Sequence, residues 1–261
     1  VSCGASHCAA LDPDGALMTW GLASSGELGH GGWTPIEVDI PRRVNSMSGV
    51  KVTQIATGAN HTVVVSEGGG LWTCGRGRHG QLGHGHFNDA GPLQRLEALR
   101  GMNVTRAVAG GSHTVCLTDC GSVWSWGACR YGQLGLGDDW EGRTPKNGVW
   151  IKVPCACGDR CKIVRAAAGG NHSAVLTACG AVMTTGSNSY GQLGHGDIKK
   201  RYAFTRVESL RGSRLATVDC GEDHTGAVGD SGRLYLWGRG DWGQLGSGDG
   251  RSHWSPAPVN G

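Results

Sequence analysis

Phenylalanine is almost missing from this chain, two residues in 261, and proline is sparse at eight. A core resting on phenylalanine is therefore excluded, and valine, leucine, alanine and ten tryptophans must fill it instead. No stretch approaches the roughly 18 consecutive apolar residues of a membrane-spanning helix. The first residues also lack the charged-then-apolar layout of a secretory signal, so the chain reads as soluble, with no membrane partner. There is no Gly-Lys-Ser/Thr phosphate loop, no His-Glu-x-x-His zinc helix and no Gly-x-Ser-x-Gly nucleophile turn. Neither a catalytic residue nor a cofactor is expected.

A strong charge of one sign is lacking too. The formal net charge is +3, and the basic residues come in short clusters, Arg42-Arg43, Arg76 to His79 and Lys199 to Arg201. That pattern gives little support to nucleic acid or chromatin as a partner. The 11 cysteines are odd in number and scattered among apolar and turn positions, as free thiols in a reducing compartment are, which favours cytoplasm or nucleus.

Glycine is abundant: 48 residues, about 18% against an average near 7%. It is also ordered. Gly-x-x-His occurs at Gly4 to His7, Gly58 to His61, Gly110 to His113, Gly169 to His172 and Gly221 to His224, with spacings of 54, 52, 59 and 52. Thirteen residues after each histidine stands Trp-Gly or its substitute: Trp20-Gly21, Cys74-Gly75, Trp126-Gly127, Thr185-Gly186 and Trp237-Gly238. Six residues further on begins Gly-(Gln/Glu)-Leu-Gly, at Gly26, Gly80, Gly132, Gly191 and Gly243. Another glycine lies eight residues after each histidine, between short apolar runs, which is a hairpin signature. Such a period dictates an all-β chain of repeated antiparallel blades, with motifs at 4–31, 58–85, 110–137, 169–196 and 221–248, forming one propeller domain over 1–261.

Gly-x-x-His, Trp-Gly and Gly-Gln-Leu-Gly-His-Gly together resemble the repeat of the regulator of chromosome condensation family, over essentially the whole chain. The resemblance implies a β-propeller of four-stranded blades, seven in most members, of which five repeats stand here. The chain opens at Val1-Ser-Cys-Gly, partway through a first strand. Joining its ends directly would leave a link about eight residues shorter than the two ordinary connections from Val44 and Val207 to the next Gly-x-x-His. It is expected to be a fragment of a longer chain within a seven-bladed ring, the alternative being a closed ring of five blades.

Residues at one phase in five repeats shape the blade rather than perform a reaction. His7, His61, His113, His172 and His224 are expected to satisfy backbone groups at a strand end, and Leu28, Leu82, Leu134, Leu193 and Leu245 to plug the core. His30, His84 and His195 share another phase, but Leu136 and Ser247 replace them elsewhere, which argues against a shared metal. Gly75 to Gly80 and Gly238 to Gly243 match a dinucleotide pattern but coincide with the repeat's own turn, with no helix after them. Repeat three carries an insertion of about seven residues within 138–162. Its Cys155, Cys157 and Cys161 are a weak zinc candidate, lacking a fourth ligand and the usual Cys-x-x-Cys spacing. No metal site is expected.

The non-repeated feature is aromatic. Trp33, Trp140, Trp150 and Trp254 follow Gly-x-Leu-Gly in repeats one, three and five, as do Arg42, Arg143 and Arg251. Tryptophan and arginine dominate binding hot spots, so Trp33, Trp140, Arg143, Trp150, Arg251 and Trp254 form a candidate partner-binding loop face. The bland alternative is that these tryptophans cover blade edges. The function expected is a non-catalytic propeller that binds another protein. The resemblance implies two alternatives: a guanine-nucleotide exchange factor for a small nuclear GTPase with chromatin binding, and a docking domain of a HECT-type ubiquitin ligase. Plant ultraviolet-B receptors also resemble this family, with Gly-Trp-Arg-His-Thr motifs, but none of the five motifs here carries that tryptophan.

Overall fold

The computed structural model describes residues 1–32, 36–140, 144–145, 148–151, 153 and 162–259, and of residue 36 the backbone alone. Each repeat forms one four-stranded sheet. Blade 1 comprises β1 (Ser2–Cys3), β2 (His7–Leu11), β3 (Leu17–Ala23) and β4 (Ile36–Arg43), and blade 2 comprises β5 (Val52–Thr57), β6 (His61–Ser66), β7 (Leu71–Gly75) and β8 (Ala90–Arg95). Blade 3 holds β9 (Val104–Ala109), β10 (His113–Thr118), β11 (Val123–Gly127) and β12 (Val149–Ile151). Blade 4 holds β13 (Ile163–Ala168), β14 (His172–Thr177), β15 (Val182–Gly186) and β16 (Arg201–Arg206), and blade 5 holds β17 (Leu215–Cys220), β18 (His224–Gly229), β19 (Leu234–Gly238) and β20 (His253–Pro258). Neighbours in every sheet follow chain order. No α-helix occurs among the described residues, only 3-10 turns such as Asn45–Met47, Glu97–Leu99 and Glu208–Leu210.

Strand order fixes which segments share an end of a blade. The turn between first and second strands, carrying Gly-x-x-His, and the long connection between third and fourth, carrying Gly-Gln-Leu-Gly, leave from one end, here the loop end. The hairpin between second and third strands leaves from the other, and there Gly15, Gly69, Gly121, Gly180 and Gly232 all sit at φ between +75° and +81°. That left-handed conformation costs an ordinary residue about 1–2 kcal/mol, which is why the same phase holds glycine in all five repeats.

The chain folds into two compact units. One is Val1–Asp119 with Trp124–Ala128 and Thr144–Trp150; the other is Cys120–Val123, Cys129–Arg143 and Ile151–Gly261. In the first, Ala9, Leu17, Val44, Val52, Val64, Cys74 and Leu93 fill the seam between blades 1 and 2. Val63, Leu71, Leu96, Val104, Cys116 and Trp126 fill the seam between blades 2 and 3. In the second, Ala174, Leu176, Val207, Leu215, Val218 and Trp237 fill the seam between blades 4 and 5. Aliphatic side chains and two buried tryptophans thus replace phenylalanine, as the composition requires. All five phased leucines are buried.

Candidate functional site

The repeat motifs meet at the seams. Thr62, Thr114 and Thr225, next after the motif histidines, donate their hydroxyl protons to the carbonyls of Glu27, Gln81 and Gln192 in the preceding blade, at 2.7, 2.8 and 2.8 Å. A hydroxyl has one proton, so it can only accept from the imidazole that also meets it. Nε2 of His7, His61 and His172 lies 2.9, 3.0 and 2.9 Å from those same hydroxyls and must be the protonated nitrogen. Nδ1 of each ring is then a bare, buried acceptor with no partner among the described residues. Burial first, and then repulsion from a neighbouring motif histidine, His7 for His61 and His224 for His172, drive the pKa of His61 and His172 down to about 3, so both rings are neutral.

This corrects one expectation. His7, His61 and His172 hold a threonine of the following blade rather than backbone groups at a strand end, and the threonine relays the bond to a backbone carbonyl. The geometry also explains the glycine of Gly-x-x-His. A methyl group on Gly58 would collide with the His61 ring and with the carbonyl oxygen of Gly110, so the turns of adjacent blades approach too closely for any side chain.

Trp-Gly completes the latch. The indole N–H groups of Trp126 and Trp237 donate to the carbonyls of Gln81 and Gln192 at 2.8 and 2.9 Å, so each carbonyl serves both an indole and a hydroxyl. Where tryptophan is replaced, Thr185 reaches back to Gly132 O at 2.8 Å instead. His30, His84 and His195 serve their own blades, bonding Thr19, Thr73 and Thr184 at 3.2, 2.9 and 3.0 Å. Repeats with Leu136 or Ser247 at that phase have Ser125 or Leu236 in place of the threonine, so the two positions change together. Among the described residues no cluster of histidine, cysteine and carboxylate side chains could hold a metal ion.

What remains is surface. Trp33, Arg143, Cys155, Cys157 and Cys161 lie outside the described residues. Trp140 is half-buried on the 3-10 turn Asp138–Trp140. Trp150 and Trp254, placed in loops by the sequence, lie on the outer strands β12 and β20, which begin earlier than the glycine-rich connections suggest. Both are half-exposed, 52% and 49%. Trp254 is partly a blade-edge residue, because it lies across Gly191 of blade 4, where a Cβ would stand 2.5 Å from its Cα and Cδ1. Arg251 is exposed on the connection into β20, its amide held by Asp249 at 3.1 Å.

Sequence reasoning missed Trp242, the most exposed tryptophan described, at 81%. It stands immediately before Gly243 of Gly-Gln-Leu-Gly at the loop end of blade 5. A signal for it was present: the same phase holds His79, Tyr131 and Tyr190 in three other repeats. Beside it, Arg239 stacks over the Tyr190 ring at 4.7 Å and pairs with Asp241 at 2.7 Å and Asp223 at 3.6 Å.

Comparison with known proteins follows the same lines. Residues 1–261 match the RCC1-like domain family. The chain is 36% identical over 250 residues to the human E3 ubiquitin-protein ligase HERC2, covering 95% of this chain and 5% of that protein. It is 34% identical over 260 residues to the ultraviolet-B receptor UVR8 of Arabidopsis thaliana, covering 99% of this chain and 57% of that protein. The crystal structure of human WBSCR16 superposes with a TM-score of 0.87 at 25% identity, covering 99% of this chain and 66% of that one.

Proposed function

The chain belongs to the RCC1-like domain family, whose propeller blades its five sheets reproduce, and from that premise we propose that it is a recognition module binding a partner protein at its loop ends and outer strands. One observation carries the reading. Trp126 and Trp237 are sealed in seams with their indole N–H groups satisfied, whereas Trp150, Trp242 and Trp254 present large apolar faces to solvent. The solvent-facing part of a tryptophan adds nothing to the fold, and tryptophan is among the side chains most enriched at binding hot spots. Arg251 and the Arg239–Tyr190 stack add the cationic and aromatic surroundings such hot spots favour. The test is quantitative capture of partners by the wild-type chain and by a Trp150→Ser/Trp242→Ser variant. Capture should fall at least tenfold in the variant; undiminished capture would refute the reading.

A second, narrower reading is that the module docks substrates or regulators for a ubiquitin ligase. The identity to HERC2 favours it, and the chain spans only a small part of that protein's length. Its test is ubiquitination of the captured partners in cells, lost with the same two tryptophans.

A further inference from the structure

Blades 2 and 5 build the same turn from opposite charges. Gly77 and Gly240 occupy one phase and do one job. A Cβ on either would collide with the backbone of the returning segment, at Asn88 O and Arg251 O respectively, and each amide is held by a side chain one residue further on, Asp89 Oδ1 at 2.8 Å and Ser252 Oγ at 3.3 Å. Around that shared frame the charges differ. In blade 5 the arginine before the glycine, Arg239, is neutralised by Asp241 two residues later and by Asp223 in the Gly-x-x-His turn. In blade 2 those three phases hold Arg76, Arg78 and Asn60.

Two like charges now stand where an ion pair was possible, and the frame is unaltered, so the substitution does not serve folding. Arg76 is half-buried, and its Nε is buried with no hydrogen-bond partner among the described residues. The one carboxylate of this turn, Asp89, is engaged by the Gly77 amide. Beside the turn lies a surface cleft of about 530 Å³ lined by Arg78, His86, Phe87, Asn88, Asp89 and Gln94. Phe87 is 40% exposed, and the His86 ring lies 5.9 Å from that of His84. The cleft therefore offers an arginine, a histidine and an aromatic face beside one carboxylate, Asp89, and next to a second arginine that has no carboxylate partner among the described residues.

We propose that this cleft on blade 2 is a docking site for an acidic peptide segment of a partner protein, with carboxylates meeting Arg78, His86 and Arg76 and an apolar side chain between them resting on Phe87. Arginine suits this task, since its planar fork matches a carboxylate bidentately. A polyphosphate backbone would find a positive charge here as well, but no use for the aromatic wall. The proposal uses none of the exposed tryptophans and stands or falls independently of them.

The test is fluorescence anisotropy with a short labelled peptide of glutamates around one leucine, compared with the same peptide carrying lysines and with single-stranded DNA. Arg78→Asp recreates the arginine–aspartate pairing that blade 5 already folds with, so the variant should keep its melting temperature. It should lose at least tenfold in affinity for the acidic peptide, while Arg100→Asp, an equal charge change at the opposite end of the blade, should lose less than twofold. Equal losses in the two variants, no binding by the wild type, or DNA binding as tight as the peptide would each overturn the proposal.

Discussion

His61 of blade 2 donates its Nε2 proton to Thr114 Oγ1 of blade 3 at 3.0 Å, and Thr114 passes its own proton to the Gln81 carbonyl back in blade 2 at 2.8 Å. This reciprocal bond crosses the seam twice and uses three of the repeat's recurring residues. It leaves them no spare proton for chemistry. The recurrence of these three residues is a property of blade-to-blade attachment, and recognition must come from residues outside this latch.

Thr114→Val tests the latch. It is nearly isosteric, but it strips the buried Nε2–H of its acceptor and removes one donor from the Gln81 carbonyl. A loss of about 1–3 kcal/mol in urea unfolding is expected, whereas Thr114→Ser should stay close to wild type. Ser173 already fills the phase in blade 4, donating to Gln133 O at 2.8 Å.

Two glycines separate crowding from conformation. Gly101 has φ +87° but open space around its Cα, while Gly58 is not in the left-handed region yet faces the His61 ring and the Gly110 carbonyl. Gly101→Ala should cost about 1–2 kcal/mol, the left-handed penalty alone. Gly58→Ala should cost about 3 kcal/mol or more, because a core cannot absorb a methyl group against backbone. Equal melting temperatures for the two variants would contradict this account of Gly-x-x-His.

Acid should unfold the protein through its buried imidazoles. The folded pKa of His61 and His172 is about 3 against an ordinary 6.5, so the unfolded chain binds protons that the folded chain refuses. Their contribution to stability is intact above pH 6.5 and is lost as pH falls from there towards 3, by about 1.4 kcal/mol per pH unit for each ring. His172→Gln should reduce proton uptake on unfolding at pH 5 by about one, measurable as a shallower dependence of unfolding free energy on pH.

Thiol reactivity should divide by position. Burial pushes the Cys74 and Cys116 thiols far above their usual range and that of Cys129 up to about 11, whereas Cys120 and Cys179 are exposed. Native protein at pH 8 should label at Cys120 and Cys179 within minutes and at Cys74 and Cys116 only after unfolding, as peptide mass mapping would show.

The period, the strand number and the buried leucines were legible in the sequence because each motif recurs at fixed offsets. The partner of the motif histidines was not. It sits in the following repeat, some 53 residues away, and only the sheet register brings Thr114 to His61. Trp150 and Trp254 were legible as exceptional residues but misplaced, since glycine-rich connections conceal where an outer strand begins. Trp242 was overlooked because it belongs to a recurring aromatic phase whose other members are tyrosine and histidine. The charge inversion at Arg78 was visible as Arg76 to His79, but its meaning depends on the pairing of Arg239 with Asp241 at the same phase of blade 5, which only the structure shows.

The most direct test of recognition at the loop end is site-specific crosslinking. A photoreactive phenylalanine analogue placed at Trp242 and, separately, at Arg233, on the opposite hairpin of the same blade, should give different answers in a cell lysate. The expected result is crosslinked partner protein from position 242 and none above background from position 233. Partner captured equally at both positions, or at 233 alone, would contradict the account.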